Sequence, residues 1–518
     1  MKQEIVDSSE NFETNVLIIS GVNPMSEFPV TPYISLAEND IPRIAFAPVP
    51  SNIGELVHAN AAKYASLLVD IMSDVADCGC NAIITGGTFE QMSAHIDAVS
   101  NLANGIYPIN PLEAGAEDSA DSDVIKPPVI VGGPVLGVIL NPVWLNENVE
   151  HCIRIVSRYR ANKFVKGWMV MDQPHHQDWG DVLETDGQDT EYNSLTLAYK
   201  TAVMYSRYFK FTLPDGKTEK AQVEQMTMFN LPASELPLWI GSCKDYPQYL
   251  EALDTLFQPA VWSYNYFPFL YDLTSMIKDD KPSVITTYHE TFYRFLSYFS
   301  AISNASSRPF WAYCQTEEYQ VFNRTDNKLL FWYPTPTIGM LRFEAFSALA
   351  YGAQGLVFAR LGMETSKEGE VRVERLNAPL VCNIAPESEK VTLEHTGIYE
   401  SLKQLNKEIK QCADVFSEAK CKAIGHVKNL FSQPEAKFPF GCVGDMTCSG
   451  LGSLVSNLEK GEEKFIVIVN HDAFNAQNFK VNLIREARVL FPVQSDSSVS
   501  GEYNFTLAPG GMLIFGWN

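Results

Sequence analysis

Short apolar runs alternate with longer amphipathic stretches through most of the chain. Because strands alternate with a period of two and helices with a period near 3.6, this pattern predicts repeated βα units. Eight such units match a (β/α)8 barrel of the α/β class. The eight apolar runs, rich in β-branched and aromatic residues, lie at 43–50, 80–87, 136–142, 166–174, 225–232, 260–268, 309–316 and 355–361.

The pattern changes after a striped helix predicted at 396–416. Short alternating strands such as "FIVIVN" and "YNFTLAPGGMLIFGW" follow, separated by turn residues and without a helical period. These features predict a small antiparallel β-sandwich. The expected organisation is an N-terminal extension at 1–42, the barrel at 43–416 and the C-terminal β-sandwich at 417–518. Insertions near 105–128 and 175–193 are predicted to be loops that follow strands.

Composition narrows the possible partners. Hydrophobic residues make up 46% and charged residues 19% of the chain, which predicts a buried core. The net charge of −23 disfavours nucleic acid and anionic membranes as partners. Aromatic residues reach 12%, which suits both core packing and stacking on sugar rings. Neutral ligands such as glycans remain open, and we expect no cofactor and no membrane-spanning segment.

Two residue types raise the question of a metal. The ten cysteines have no zinc or redox spacing, so buried free thiols are expected. His175 and His176 are adjacent and would point apart in an extended segment, so no metal site is predicted. The start "MKQEIVDSSENFETN" has no apolar run of the kind found in a secretory signal, which leaves the localisation open.

The ends of the strands indicate where the chemistry would lie. In such barrels the active site is at the C-terminal ends of the strands. Amide, charged and aromatic side chains suit hydrogen bonding to hydroxyl groups and stacking on rings. The residues at or near these ends that we predict to bind substrate are Asp172, Gln173, His175, His176, Asn230, Trp262, Tyr264, Asn265, Trp311, Gln315 and Arg360.

Five segments carry a resemblance to a known family. They are "GWMVMDQP" at 167–174, "SYNYFP" at 263–268, "RPFWAYCQ" at 308–315, "LRFEAFSALAYGAQGLVF" at 341–358 and "LKQLNKEIK" at 402–410. Together they resemble glycoside-hydrolase-like (β/α)8 barrels of gut Bacteroidetes, similar to retaining β-galactosidase and cellulase-like barrels. The resemblance covers roughly residues 40–415. It implies a carbohydrate site at the strand ends, and a periplasmic or secreted mature form.

The chain departs from that family at its expected acid. The fourth strand of the family usually ends in D-E-P, with the glutamate as acid/base, whereas this chain has Gln173. An amide is too weak an acid to protonate a leaving alkoxide. Asp172 precedes it and is expected to point to the opposite side of the strand, where it would bond a neighbouring strand. Glu317 and Asp178 are therefore the predicted catalytic carboxylates, with Glu318 as an alternative to Glu317.

Two functions remain open at this point. The first is a glycoside hydrolase that uses Glu317 and Asp178. The second is a glycan-binding protein on a hydrolase scaffold, without catalysis. In that case the ligand would be held by Trp168, Trp262, Trp311, Tyr264, Gln173 and Asn265. A structural protein would instead have its barrel mouth closed by the 105–128 insertion.

Overall fold

Eight parallel strands close into a barrel in the computed structural model of the protein. Each strand pairs with the next, and β14 pairs with β1 to complete the ring. All eight predicted barrel strands are confirmed. Their bounds are β1 Arg43–Phe46, β2 Ala82–Gly87, β3 Gly137–Pro142, β4 Val165–Asp172, β7 Met226–Pro232, β8 Val261–Asn265, β11 Phe310–Gln315 and β14 Gly355–Ala359.

Helices and shorter strands surround this ring. The helices are α1 Ala61–Asp77, α2 Phe89–Ala103, α3 Pro237–Ile240, α4 Tyr246–Leu256, α5 His289–Ser306, α6 Ile338–Ala350 and α7 Gly397–Phe416. The strands outside the ring and before the C-terminal region are β5 Tyr208–Thr212, β6 Thr218–Gln222, β9 Leu270–Tyr271, β10 Val284–Ile285, β12 Glu318–Phe322, β13 Leu329–Tyr333, β15 Gly362–Glu364, β16 Val373–Asn377, β17 Leu380–Ala385 and β18 Lys390–His395.

The structure describes part of the chain. The described residues are 36, 40–49, 61–106, 134–142, 156, 158–159, 162–173, 208–212, 218–222, 225–273, 284–285, 289–323, 327–364, 373–385, 390–428, 433–492 and 498–517. The predicted insertions at 105–128 and 175–193 lie almost entirely outside them. Among the described helices, none is both long enough and apolar enough to cross a membrane.

Both faces of the barrel strands are buried. Side chains such as Ile44, Met169 and Met228 point inward and fill the ring. Their neighbours, such as Ala45 and Phe229, point outward and pack beneath the helices. This arrangement follows from the period of two in a strand that has helices on one side and a filled interior on the other. The apolar runs are therefore nearly continuous in sequence.

Local sequence signals define where the helices begin. Thr88 accepts a hydrogen bond from the Gln91 backbone, and the Gln91 side chain accepts one from Thr88, which forms a capping box before α2. Asp245 caps α4 by accepting from Gln248, and Thr396 caps α7. The predicted helix at 396–416 is confirmed by α7.

The C-terminal region forms a seven-stranded antiparallel sheet. Its strands are β19 Lys420–Val427, β20 Val443–Cys448, β21 Ser453–Lys460, β22 Glu463–Asn470, β23 Gln477–Phe491, β24 Ser498–Leu507 and β25 Met512–Trp517. One face of β21 and β22 packs on the barrel helices, and the other covers a second core that includes Val455, Phe479 and Phe515. The long strand β23 pairs with β20 and β24 over its first half and with β25 over its second, so the sheet folds over that core. The predicted fold class, a barrel followed by an antiparallel β-sandwich, agrees with this architecture. The division of the chain at residues 42 and 416 stays a prediction.

A separate three-stranded sheet lies above the barrel mouth. Strand β12 begins at Glu318, directly after the seventh barrel strand, and pairs with β13 on one side and β16 on the other. Tyr319 and Tyr333 stack at 4.3 Å between ring centroids and pack against the inner barrel core. On the same face, Arg375 lies opposite Tyr319. This sheet thus fixes one side chain of β16 over the mouth.

Three buried histidines lie where the barrel meets the C-terminal sheet. His426 Nδ1 is 3.2 Å from His471 Nε2, and the His426 Nε2 atom is 3.1 Å from the Tyr351 hydroxyl. His289 stacks on Phe343 of α6 at 4.6 Å. Burial lowers the pKa of His289 and of His426 to about 3. Burial also lowers the pKa of His471, and the neighbouring histidines add to that effect. The junction is therefore built from neutral imidazoles.

Acid is expected to destabilise this junction. In the unfolded chain these histidines titrate near 6.5, whereas in the folded chain His289 and His426 titrate at about 3. The unfolded chain thus binds protons first as the pH falls. The stability is complete above about pH 6.5 and is lost progressively as the pH falls toward 3. We expect a loss of about 2 kcal/mol for each of these two histidines by about pH 5.

Urea unfolding at neutral pH and near pH 5 measures this loss. His426→Gln removes one of the titrating rings and should make the difference between the two pH values smaller. An equal pH dependence in wild type and His426→Gln would contradict the prediction.

Candidate functional site

A β-bulge in the fourth barrel strand turns Asp172 into the barrel mouth. Met169 pairs with Met228, but Met171 pairs with Phe229, so β4 has one extra residue at Val170. Asp172 then lies opposite Asn230, which follows the inward-facing Met226 and Met228 along β7. Strict alternation would have placed Asp172 on the outer face. The expectation that it points away from the mouth is wrong because of this bulge.

Asp172 also bonds the neighbouring strand, as expected. The Asn230 side-chain amide donates to Asp172 Oδ1 at 2.5 Å. The next residue, Gln173, has a φ of 50° and donates its backbone N–H to the Asn230 carbonyl at 2.7 Å. The left-handed backbone ends the strand at this point. Asp172, not Gln173, is therefore the residue of β4 that brings a carboxylate into the mouth.

Glu317 approaches the mouth from the seventh barrel strand. It is 5% exposed, and Arg375 Nε donates to its Oε2 at 3.0 Å. The turn that holds it depends on Gln315, whose side chain donates to the carbonyls of Glu317 and Pro334. The Gln315 backbone N–H donates to Glu344 Oε2 at 2.8 Å. Gln315 is fully buried and was predicted to contact a ligand. In the structure its side chain instead supports the turn that holds Glu317.

Arg360 contributes a positive charge to the mouth. It follows β14, is half-buried, and has its guanidinium 5.6 Å from the centroid of the Phe46 ring. Its charge acts on both Asp172 and Glu317. Within the described residues, no hydrogen bond from the Arg360 side chain is found. Among the described residues, the N–H donors of this guanidinium therefore meet no acceptor.

The four charged groups compensate one another. Burial raises the pKa of Glu317, and Arg375 and Arg360 oppose that rise. Burial likewise raises the pKa of Asp172, against the Asn230 hydrogen bond and the Arg360 charge. Burial and the charge of Arg375 lower the pKa of Arg360, and the two carboxylates oppose this.

The tryptophans and Tyr264 do not reach the mouth, contrary to prediction. Trp168 and Trp262 face outward beneath the helices and donate to Gln225 and Ser306, respectively. Tyr264 also faces outward and stacks on Phe299 at 4.4 Å. Trp311 points inward but lies at the start of β11, and it is fully buried. All four rings therefore pack in the apolar core and stabilise the barrel. Both the outward and the inward side of a (β/α)8 strand are apolar, so a ring on either side can be buried.

The remaining predicted residues divide into three groups. Asn230 lies at the mouth, and Asn265 is half-buried at the end of β8. Glu318 accepts from Trp332 Nε1 at 3.2 Å and also from Thr335, so it holds the β12–β13 hairpin. His175, His176 and Asp178 lie outside the described residues. Searching the described residues finds no cluster of His, Cys, Asp and Glu suited to a metal ion.

Two residues of the site were missed by the sequence analysis. Arg375 lies 58 residues beyond Glu317, and only the pairing of β16 with β12 brings the two together. Phe46 ends β1 and forms the support of Arg360. The signal for Phe46 was its place at the end of a predicted strand. No spacing in the sequence connects Arg375 with Glu317.

Comparison with known proteins gives distant likenesses only. No protein-family model and no curated protein matches the chain. A catalytic mutant of a GH42 beta-galactosidase from G. stearothermophilus is similar with a TM-score of 0.48 and 9% identity, over 94% of this chain and 99% of that one. A beta-galactosidase from Bacillus circulans sp. alkalophilus has a TM-score of 0.47 and 9% identity, over 95% of this chain and 100% of that one.

A third likeness is of the same kind. Alpha-galactosidase I from Mortierella vinacea has a TM-score of 0.41 and 9% identity, over 92% of this chain and 96% of that one. At these identities and TM-scores, the likenesses carry no argument about the reaction or the ligand of this chain. A Bacteroidetes origin, which the sequence resemblance suggested, finds no support among them.

A second carboxylate beside Asp172 is expected to destabilise the protein in a pH-dependent way. Asn230→Asp replaces the amide that donates to Asp172 with a carboxylate of the same shape. Above about pH 6 both groups would be charged, and we expect a loss of stability on the order of 2 kcal/mol. The loss should shrink as the pH falls, because one of the two carboxylates takes up a proton.

Thermal unfolding of wild type and variant across pH tests this. The double variant Asp172→Asn with Asn230→Asp exchanges the two groups and retains a single carboxylate. It should regain most of the lost stability. If Asn230→Asp unfolds like wild type at every pH, the hydrogen bond between Asp172 and Asn230 is not present in solution.

Proposed function

We propose that this protein hydrolyses glycosidic bonds at the barrel mouth, with Asp172 and Glu317 as the two carboxyl groups. The observation that supports this most directly is that both carboxylates act electrostatically on Arg360, one from the end of the fourth barrel strand and one from just after the seventh. Glycoside hydrolysis requires a pair of carboxyl groups that flank the scissile bond. Asp172 takes the role for which Asp178 was put forward from sequence.

The two carboxyl groups have different surroundings, which suits different roles. Asp172 is open to solvent and accepts one hydrogen bond from a neutral amide, so it can hold a proton and exchange it. Glu317 is enclosed and bonded by Arg375, with Arg360 nearby, so it is the group held as an anion. Hydrolases of this kind need one protonated and one ionised carboxyl group.

The proposed reaction follows from these roles. Asp172 donates its proton to the glycosidic oxygen as the bond to the anomeric carbon breaks. The Glu317 carboxylate stabilises the positive charge that develops on the sugar, either by direct attack or through a water molecule. Water finally supplies the hydroxyl group of the released sugar. After direct attack, Asp172 recovers its proton from this water. When Glu317 instead activates the water, Glu317 takes that proton, and exchange with solvent returns the proton to Asp172. The net reaction adds one water across one glycosidic bond.

Glycan binding without hydrolysis is the second candidate. It is favoured by Gln173 at the position of the family's usual acid, and by the low exposure of Glu317. The mouth would then hold a sugar through Asp172, Asn230 and Arg360 and leave it intact. The two candidates differ in turnover and not in ligand class.

Hydrolysis of aryl glycosides by wild type, Asp172→Asn and Glu317→Gln distinguishes the two. We expect wild type to release the aryl group, and each variant to lose about 10²–10⁴-fold in kcat because a proton donor or a charge stabiliser is removed. Glu290→Gln changes an exposed carboxylate on α5 and serves as the matched control. It should retain wild-type kcat.

Three other results would contradict the hydrolase proposal or its assignment of residues. Sugar binding by wild type with no turnover on any glycoside would favour the binding protein. A gain of activity in Gln173→Glu would then mark position 173 as a lost acid. Turnover that survives both Asp172→Asn and Glu317→Gln would rule out this pair as the catalytic groups.

A further inference from the structure

The guanidinium of Arg360 has no hydrogen-bond partner within the described residues, although it is half-buried. A guanidinium carries five N–H donors in a planar fork that matches a carboxylate. Burial penalises this cation, which lowers the pKa of Arg360. The Phe46 ring lies 5.6 Å from it and limits how it can move. The site thus holds a supported cation whose donors meet no acceptor among the described residues.

Arg375 does not offer the same opportunity. Its Nε is committed to Glu317 at 3.0 Å, and β16 fixes its backbone opposite Tyr319. It therefore serves the Glu317 carboxylate. Arg360 has Asp172 and Glu317 within the range of its charge, but it is bonded to neither. Of the two arginines, Arg360 is the one free to take a ligand.

The charge balance of the mouth indicates what that ligand is. With all groups ionised, Asp172 and Glu317 balance Arg360 and Arg375. A hydrolase works from the state in which its acid carries a proton. In that state these four described groups carry one negative and two positive charges, which leaves one positive charge uncompensated among them. A neutral sugar would leave this charge in place, whereas a sugar with one carboxylate would remove it.

We propose that the ring bound at the mouth is a uronic acid, whose carboxylate pairs with the guanidinium of Arg360. This inference rests on the proposed function and names its substrate class. The net charge of −23 does not oppose it, because charges are screened beyond about 8 Å at physiological ionic strength. The balance calls for a single anionic ring, not for a polyanion.

Binding of matched sugars tests the assignment. D-glucuronate and D-galacturonate are compared with D-glucuronamide and D-galacturonamide, which have the same shape without the charge. Calorimetry on the full chain should show that wild type binds at least one uronate about tenfold more tightly than its amide, since a charge-assisted hydrogen bond is gained. Equal affinities for acid and amide would overturn the inference without recourse to any variant.

Variants assign the preference to Arg360. Arg360→Met should abolish it, and Arg360→Lys should retain part of it, because lysine keeps the charge but not the fork. Arg488→Met removes an exposed arginine of the C-terminal sheet and should bind like wild type. Thermal unfolding of each variant establishes that it is folded. A preference that persists in folded Arg360→Met would place the carboxylate elsewhere and overturn the inference.

Turnover separates this inference from the proposed function. Nitrophenyl glucuronides and galacturonides, in both anomers, are compared with the corresponding glucosides and galactosides. Preferred cleavage of uronides supports both proposals. Cleavage of neutral glycosides with no preference for uronides overturns the uronic acid assignment and leaves the hydrolase proposal in place. If the protein neither binds nor cleaves any of these sugars, both proposals are overturned.

Discussion

Four charged side chains, two carboxylates and two guanidinium groups, come together at the barrel mouth. Their opposite charges compensate one another, and the stability of the mouth depends on this compensation. A buried ion without a partner costs roughly several kcal/mol. Removing any one of Asp172, Glu317, Arg360 or Arg375 would therefore leave an opposite charge uncompensated. Three of them come from the ends of barrel strands and one from the sheet above. The geometry of the mouth therefore depends on the closed ring and on β16 together.

The aromatic residues that were predicted to stack on a sugar pack in the core of the barrel instead. Trp168, Trp262 and Tyr264 fill the layer between strands and helices, where large flat rings exclude water most effectively. Trp311 packs so closely beneath β14 that a Cβ on Gly355 would lie 2.5 Å from its ring. The aromatic rings thus stabilise the barrel, and the side chains at its mouth are mainly charged groups and amides.

The ring of eight strands could be predicted because each strand is a buried apolar run followed by a helical period. Glu317 could also be found, since it follows the seventh run. The inward direction of Asp172 could not, because one bulged residue in β4 reverses the alternation on which such a prediction depends. The burial of the tryptophans could not be predicted either. Both faces of a barrel strand are apolar, so the sequence pattern does not show which face a ring lies on. Arg375 depends on antiparallel pairing between distant strands, which no local spacing encodes.

The route by which Arg375 reaches Glu317 has a consequence for the order of assembly. Between β12 and β16 the chain forms α6 and β14, the last strand of the ring. β16 therefore pairs with β12 across a segment that includes the strand which closes the ring. Because such a long-range contact has a large loop-closure entropy, we expect the ion pair between Glu317 and Arg375 to form late in folding. A chain whose ring is not closed would therefore leave the Glu317 carboxylate without this counter-ion.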